Sequence, residues 1–190
     1  PIVLLAEIDA KPVDDDKLFF IHGEVNEENL ERANISAAAT VIILGNDDLE
    51  PGARDARVVL STLTAEGMSR DAYTVVELVH EANRRHCQRA HADEIIVGNE
   101  FSSRLIASAA VDHGISKVFS ELLSVTYGND LKQVPVPASL VGQSFFDVMT
   151  ELKRTDGSIV LAVQRGREVI TNPPNDYPVE SSDHLIVVAS

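Results

Sequence analysis

The sequence predicts an α/β fold with a parallel sheet, followed by two amphipathic helices and a small α+β unit. Three observations lead to this prediction. Short apolar runs alternate with helical patterns over the first two-thirds of the chain. These runs are almost wholly apolar, as in parallel strands that are covered on both faces. After about residue 126 the pattern changes to a proline-bearing edge strand, one helix and three further strands.

The first part of the chain contains five strand-like runs, over residues 2–5, 18–21, 40–45, 73–79 and 94–98. Strands that alternate with helices form a parallel, Rossmann-like sheet. The run "IVLL" is followed by Ala-Glu-Ile-Asp, which is typical of the second strand of a dinucleotide-binding fold, whose acid meets a ribose. The first strand and its glycine loop are absent from the sequence. We therefore expect upstream residues or a partner's strand to fill the gap.

Helical patterns connect these runs. Residues 53–67 are predicted to form a helix that points Val59, Leu60 and Leu63 inward and stops at Gly67. Residues 82–92 are predicted to form a polar helix with a solvated face.

Two amphipathic helices are predicted over residues 102–114 and 115–124, separated by Gly114. Their pattern fits either a cover for the sheet or a crossover to a second subunit. In the crossover case, six residues would form the dimer contact: Leu105, Ile106, Ala109, Val118, Phe119 and Leu122.

The turn-rich segment 126–132 is the predicted domain boundary. The chain then divides into a partial Rossmann-like lobe, crossover helices and a small α+β lobe. These three parts cover residues 1–101, 102–126 and 127–190.

Composition excludes several classes of protein. The 190 residues carry a net charge of −14, and such a surface repels nucleic acid and anionic lipid. Cys87 is the only cysteine, which rules out an internal disulfide and a cysteine-rich zinc site. No apolar run reaches the length of about 18 residues that a membrane helix needs.

Polar residues follow the first two predicted strands, at the edge where open parallel sheets bind ligands. Glu7 and Asp9 follow the first run, and His22 and Gly23 follow the second. An acid in this position accepts hydrogen bonds from ribose hydroxyls. These four residues are therefore the candidate cofactor contacts.

A second group of acids is predicted at the same edge. Asp47 and Asp48 follow the third run, and Glu77 lies in the fourth. Together they could hold a hard divalent cation such as calcium, which prefers oxygen ligands. Two alternatives remain: the segment "NDDLEP" lacks the spacing of an EF-hand and could cap the next helix, or the acids could simply serve solubility.

Motifs of catalysis are missing from the sequence. It contains no GxSxG, no HExxH and no phosphate loop that ends in Gly-Lys-Ser/Thr. His86 and Cys87 are neighbours on one predicted helix, where adjacent side chains do not face each other. We therefore predict a binding module and not an enzyme.

Three longer segments resemble one known family, the RCK domains, which regulate K⁺ conductance and are also called TrkA-type domains. They are "HGEVNEENLERANISAAATVIILG", "VVELVHEANRRHCQRAHADEIIVGNEFSSRLIASAAVDHG" and the tail that contains "LVGQSF", "NPP" and "DHLIVVA". The order and spacing of these motifs make the resemblance specific, and it covers essentially the whole chain. The helix "RDARVVLSTLT" looks most similar to CASTOR/POLLUX-type ion channels and their prokaryotic relatives.

The resemblance implies a ligand-sensing gating domain on the cytoplasmic face of a K⁺ or other cation channel or transporter. It implies a homodimer, higher ring assembly and a pore domain in the same or a partner chain. Family ligands are calcium, NAD(H) and adenine nucleotides. We expect NAD(H) or an adenine nucleotide to bind only in a longer protein. The resemblance favours subunit exchange through the two amphipathic helices over simple cover of the sheet.

Two departures from the family pattern concern the ligands. The glycine-rich loop that holds a pyrophosphate is absent, so Glu7 matches only the ribose end of a nucleotide site. Glu77 matches the first family calcium acid, but Val79 replaces the second. The alternatives are an NAD(P)-dependent Rossmann enzyme and a ligand-free dimerisation module.

Overall fold

The structure, a computed structural model, describes residues 1–124 and 128–189. It divides into two compact units, Pro1–Leu105 and Ile106–Ser190. The predicted boundary between residues 126 and 127 lies outside the described residues. The mixed α/β class is confirmed, with parallel strands in the first unit and antiparallel strands in the second.

The first unit contains the five predicted strands, each within one or two residues of its predicted limits. They are β1 (Ile2–Ala6), β2 (Leu18–His22), β3 (Thr40–Ile43), β4 (Tyr73–Leu78) and β5 (Glu94–Val97). All of their pairings are parallel. Branched and aromatic residues dominate these runs and favour the extended backbone.

The parallel strands form two separate sheets, β1-β2 and β3-β4-β5. Among the described residues, β1 pairs only with β2 and β3 pairs only with β4. Leu5 of β1 and Val41 of β3 nevertheless pack against the same hydrophobic core. In the part of the chain that the structure describes, one edge of β1 and one edge of β3 thus have no strand partner.

Three helices accompany these strands: α1 (Glu27–Arg32), α2 (Pro51–Met68) and α3 (Arg84–Arg89). The Asn26 side chain caps α1 by accepting a hydrogen bond of 2.9 Å from the backbone N–H of Asn29. Pro51 begins α2, where its missing N–H leaves no helical bond unmade.

The prediction for the inward face of α2 was wrong. Leu60 and Leu63 are 64% and 51% exposed. The buried residues are instead Asp55, Val58, Ser61, Thr62, Ala65 and Glu66. Most of these side chains are small or hydrogen-bonded; the Thr62 hydroxyl, for example, donates to the Val58 carbonyl at 2.7 Å. Of the three predicted residues, Val59 alone packs against the core, and it is only partly buried.

The predicted polar helix 82–92 is shorter in the structure. A 3₁₀ turn at Glu81–Asn83 leads into α3, and His91 follows in a left-handed conformation with φ of 69°. Cys87 is fully buried on α3. The other residues of α3 are polar, and the helix presents a polar face to solvent, as predicted.

Two helices follow β5: α4 (Gly98–Val111) and α5 (Ile115–Leu122). Gly114 separates them with φ of 101°, a conformation that side-chain-bearing residues rarely adopt. Neither helix contains a buried residue within the described chain. The two predicted amphipathic helices are thus present, although the first begins four residues early.

The second unit continues with an antiparallel sheet and one helix. Its elements are β6 (Asp130–Pro135), α6 (Phe145–Thr155), β7 (Ile159–Arg165), β8 (Glu168–Thr171) and β9 (His184–Ala189). The strand order is β6-β9-β7-β8. Phe145, Val148 and Leu152 of α6 pack into a core with Val163 and Leu185 of the sheet. This arrangement matches the predicted α+β lobe.

No helix in the described residues is both long enough and apolar enough to cross a membrane.

Candidate functional site

The carboxyl ends of β3, β4 and β5 converge on one edge of the first unit. A cavity of about 330 Å³ lies there. Nine residues line it: Asp47, Leu49, Pro51, Arg54, Glu77, Leu78, Val79, Gly98 and Asn99. We call these residues the ligand edge, because open parallel sheets bind ligands beyond the carboxyl ends of their strands.

Two of the predicted metal ligands meet at the ligand edge, but they meet around an arginine. Arg54 of α2 donates from Nη2 to Glu77 Oε2 at 2.9 Å, and its Nη1 forms an ion pair with Asp47. The Arg54 side chain is only 18% exposed. The sequence analysis missed Arg54; its place in the first turns of a helix that follows a strand end was the signal available.

The third predicted ligand, Asp48, has an exposed side chain. Its backbone N–H donates to the Asn46 side chain at 2.8 Å, which closes a turn ahead of α2. Among the described residues, no group of three or more His, Cys, Asp or Glu side chains is placed to hold a metal ion. Calcium takes six to eight oxygen ligands, so the residues in this arrangement do not fit a calcium ion.

A buried carboxylate, that of Asp55, fixes the backbone next to the ligand edge. Asp55, fully buried on α2, accepts hydrogen bonds from the backbone N–H groups of Val79 and His80 at 2.8 and 3.0 Å. The Asn83 amide donates to it at 2.7 Å, and His80 Nδ1 lies 3.2 Å from it. The bonds tie α2 to the segment after β4. Asp55 could have been found in the sequence as a charge in line with Val58 and Ala65 at helical spacing.

The hydrogen bonds also decide the charge of Asp55. Burial by itself raises its pKa, but the bonds from Val79, Asn83 and His80 outweigh burial and hold the pKa below its ordinary value of 3.8. Asp55 is therefore an anion at neutral pH.

The predicted cofactor residues lie at the ends of β1 and β2. Glu7 forms an ion pair with Arg57 of α2, whose Nη2 also lies 3.6 Å from Glu24. His22 Nδ1 lies 2.9 Å from the Ile8 carbonyl, so the segment after β1 is held against β2. Asp9 is exposed.

Gly23 has a backbone reason to be glycine. Its φ of 148° disfavours a side chain, and a Cβ there would lie 2.7 Å from the Asn29 amide nitrogen. Its N–H donates to the Ala6 carbonyl at 3.1 Å, which links the ends of β1 and β2. The glycine therefore shapes the turn, whether or not a ligand lies beside it.

A dinucleotide fits these residues only in part. Glu7 pairs with Arg57 through Oε2, which leaves acceptor positions on the carboxylate for ribose hydroxyls. No glycine-rich loop in the sequence could bring backbone amides to a pyrophosphate. The four cofactor contacts remain a prediction that concerns a longer protein.

A larger open hollow of about 580 Å³ lies in the second unit, beside α6. Phe146, Thr150 and Leu152 are among its lining residues. None of the predicted site residues lines it.

Comparisons with known proteins reveal three related ion channels. The chain is 25% identical to the calcium-gated potassium channel TvoK of Thermoplasma volcanium, over 100% of the chain and 55% of the relative. It is 26% identical to the probable ion channel POLLUX of Oryza sativa, over 85% of the chain and 17% of the relative. It is 25% identical to the putative potassium channel protein YugO of Bacillus subtilis, over 91% of the chain and 53% of the relative. The chain thus spans about half or less of each relative.

Among solved structures, the human SLO3 gating ring has a similar fold, with a TM-score of 0.77. The similarity covers 99% of this chain and 39% of the other, at 16% sequence identity. No family model matches the chain. The order of the motifs, the alignment with ion channels over most of the chain and the fold shared with a gating ring support the resemblance to RCK domains.

Proposed function

We propose that the chain is the ligand-sensing gating domain of a K⁺ or other cation channel or transporter, at the cytoplasmic face of the membrane. The relatives support this proposal, because ion channels of an archaeon, a plant and a bacterium each align with most of the chain. The pore would lie in a part of the protein outside these 190 residues, or in a partner chain.

Gating of this kind works as a population shift. A ring of such domains has at least two geometries, and a ligand changes their balance only if it binds one more tightly than the other. The ligand edge is suited to such a role because residues of α2, β4 and α4 meet there. A ligand that bridges them would change their relative positions and would pass the change to neighbouring subunits.

The observation that carries the proposal is the apolar surface of α4 and α5. Ile106 and Val111 of α4 are 70% and 79% exposed, and Val118 and Leu123 are exposed at α5. Several large exposed apolar side chains on two consecutive helices favour a protein contact. We infer that α4 and α5 pack against a second copy of the chain, through the six residues predicted above, and that such dimers build the ring.

The dimer can be tested by placing charges in this surface. The double variant Ile106→Asp, Val118→Asp is expected to raise the dissociation constant of the dimer at least about 100-fold, because association would bury unpaired carboxylates. Light scattering after size exclusion, at micromolar concentration, measures the mass. Val13→Asp is the matched control, since Val13 is an exposed apolar residue of a loop. A monomeric wild-type chain would contradict the proposed dimer.

A thermal-shift screen tests the proposed ligand sensing. The probes are calcium, NAD⁺, NADH, ATP, ADP and cyclic dinucleotides. A ligand at 100 times its dissociation constant adds about 2.7 kcal/mol to the stability of the domain and raises its melting temperature. Melting temperatures unchanged by every probe would favour the alternative of a ligand-free dimerisation module. Turnover of NADH with a substrate would instead favour the dehydrogenase alternative.

A further inference from the structure

The Arg54 guanidinium occupies the place where the sequence predicts a metal ion. Two of the three predicted ligands, Asp47 and Glu77, bind it from two sides. The Arg54 side chain is more than four-fifths buried and the Glu77 side chain is 35% exposed, so this pair differs from a solvent-exposed ion pair, which contributes little. Asp47 approaches the same guanidinium from the solvent side, with a side chain that is 87% exposed. Arg54 therefore neutralises the acids from within the protein.

Gly45, just after β3, makes room for the arginine. A Cβ at this position would overlap Nε, Cγ and Cδ of Arg54. The φ of Gly45 is outside the left-handed region, so the backbone itself does not require glycine. The absence of a side chain at Gly45 thus lets the Arg54 side chain lie directly against the backbone.

A calcium ion and Arg54 could not share this place. A divalent ion between the two carboxylates would lie beside a guanidinium that cannot lose its charge, and the two cations would repel each other. Asp48 lies exposed and does not join the pair to form a larger set of ligands.

We propose that Arg54 is a tethered cation that replaces a divalent ion at the ligand edge. Its terminal nitrogens pair with Asp47, in the loop after β3, and with Glu77 of β4, at any calcium concentration. The chain then binds no calcium between these acids, and a stimulus that acts through the ligand edge is of another chemical class. The role of Arg54 does not depend on whether the chain forms a dimer or gates a pore.

Calorimetry with calcium chloride tests the proposal on three proteins. The wild type is expected to show no calcium binding that depends on Glu77, so Glu77→Gln leaves its titration unchanged. Arg54→Gln is expected to bind calcium at least about tenfold more tightly than the wild type, because the removed charge no longer repels the ion. The double variant Arg54→Gln, Glu77→Gln is expected to lose this gain.

Arg154→Gln is the matched control, because Arg154 also pairs with an acid, Glu151, but on an exposed helix surface. Both arginine variants change the net charge equally, so nonspecific attraction of calcium to an acidic protein affects both. Circular dichroism checks that each variant folds. If Arg54→Gln unfolds, the comparison of the wild type with Glu77→Gln still shows whether the wild type binds calcium through Glu77. Calcium binding by the wild type that Glu77→Gln abolishes overturns the proposal, and so does equal binding by a folded Arg54→Gln and by Arg154→Gln.

Discussion

Replacing Asp55 by alanine is expected to destabilise the first unit by about 3–5 kcal/mol. The variant removes the acceptor of the Val79 and His80 backbone N–H groups and of the Asn83 amide. These partly buried donors would lose their shared acceptor, and a donor that water cannot reach costs about 1–3 kcal/mol when it is left unsatisfied. Urea unfolding followed by far-UV circular dichroism measures the free energy of unfolding.

Asp14→Ala is the control for this variant, because Asp14 is an exposed acid of the same unit. It is expected to change the free energy of unfolding by less than about 0.5 kcal/mol. The loss of stability in Asp55→Asn should lie between those of Asp55→Ala and Asp14→Ala, since asparagine keeps the shape of the side chain but loses one acceptor and the charge. A loss below about 1 kcal/mol for Asp55→Ala would show that the hydrogen bonds do not hold the ligand edge together.

The same carboxylate predicts how stability depends on pH. The pKa of Asp55 is lower in the folded protein than its ordinary value of 3.8. The unfolded chain therefore takes up the proton first, and the stabilising contribution is fully present above about pH 4. It is lost as pH falls through the folded pKa. Asp55→Ala should accordingly flatten the acid limb of a plot of stability against pH.

Replacing Asp183 by alanine is expected to destabilise the second unit by roughly 3 kcal/mol. Asp183, fully buried before β9, accepts from Arg165 of β7 through Nε at 2.7 Å and Nη2 at 2.8 Å. It also accepts from the Glu180 backbone N–H at 2.8 Å. Its loss leaves the Arg165 charge without this partner and the loop before β9 without its anchor. Urea unfolding followed by far-UV circular dichroism measures the free energy of unfolding. The Tyr177 ring lies 5.1 Å from the Arg165 guanidinium carbon, so the background substitution Tyr73→Phe makes tyrosine fluorescence a more selective second probe of this unit.

Glu180→Ala is the matched control, because Glu180 pairs with the same arginine at 2.8 Å but is mostly exposed. It is expected to cost less than about 1 kcal/mol. Equal losses for the two variants would contradict the assignment of Asp183 as the buried anchor. The pKa of Asp183 is held low by Arg165, against the effect of burial, so its contribution too is present above about pH 4 and lost in acid.

The strands were predictable because their signal is local. Runs such as "TVII" and "HLIVV" combine branched side chains with continuous apolar character, and both form strands in the structure. In the described residues the parallel strands form two separate sheets, β1-β2 and β3-β4-β5.

The inward face of α2 was not predictable from apolar residues alone. Leu60 and Leu63 offer more apolar surface than Thr62 or Ala65, yet they face outward. Asp55 decides the rotation of the helix, because its carboxylate must reach two backbone N–H groups beyond β4. That need arises only once α2 lies beside β4.

The candidate site, too, was predictable only in part. The sequence alone determined that Asp47 and Glu77 lie at the carboxyl ends of parallel strands, because strand ends follow from local pattern and the topology of such sheets is restricted. Only the tertiary structure decided that Arg54 lies between them. An arginine side chain has several rotatable bonds, and its direction is set by partners distant in sequence, here 7 and 23 residues away. The charge of the ligand edge is therefore a property of the folded chain, which brings a cation from a helix to acids on a loop and a strand.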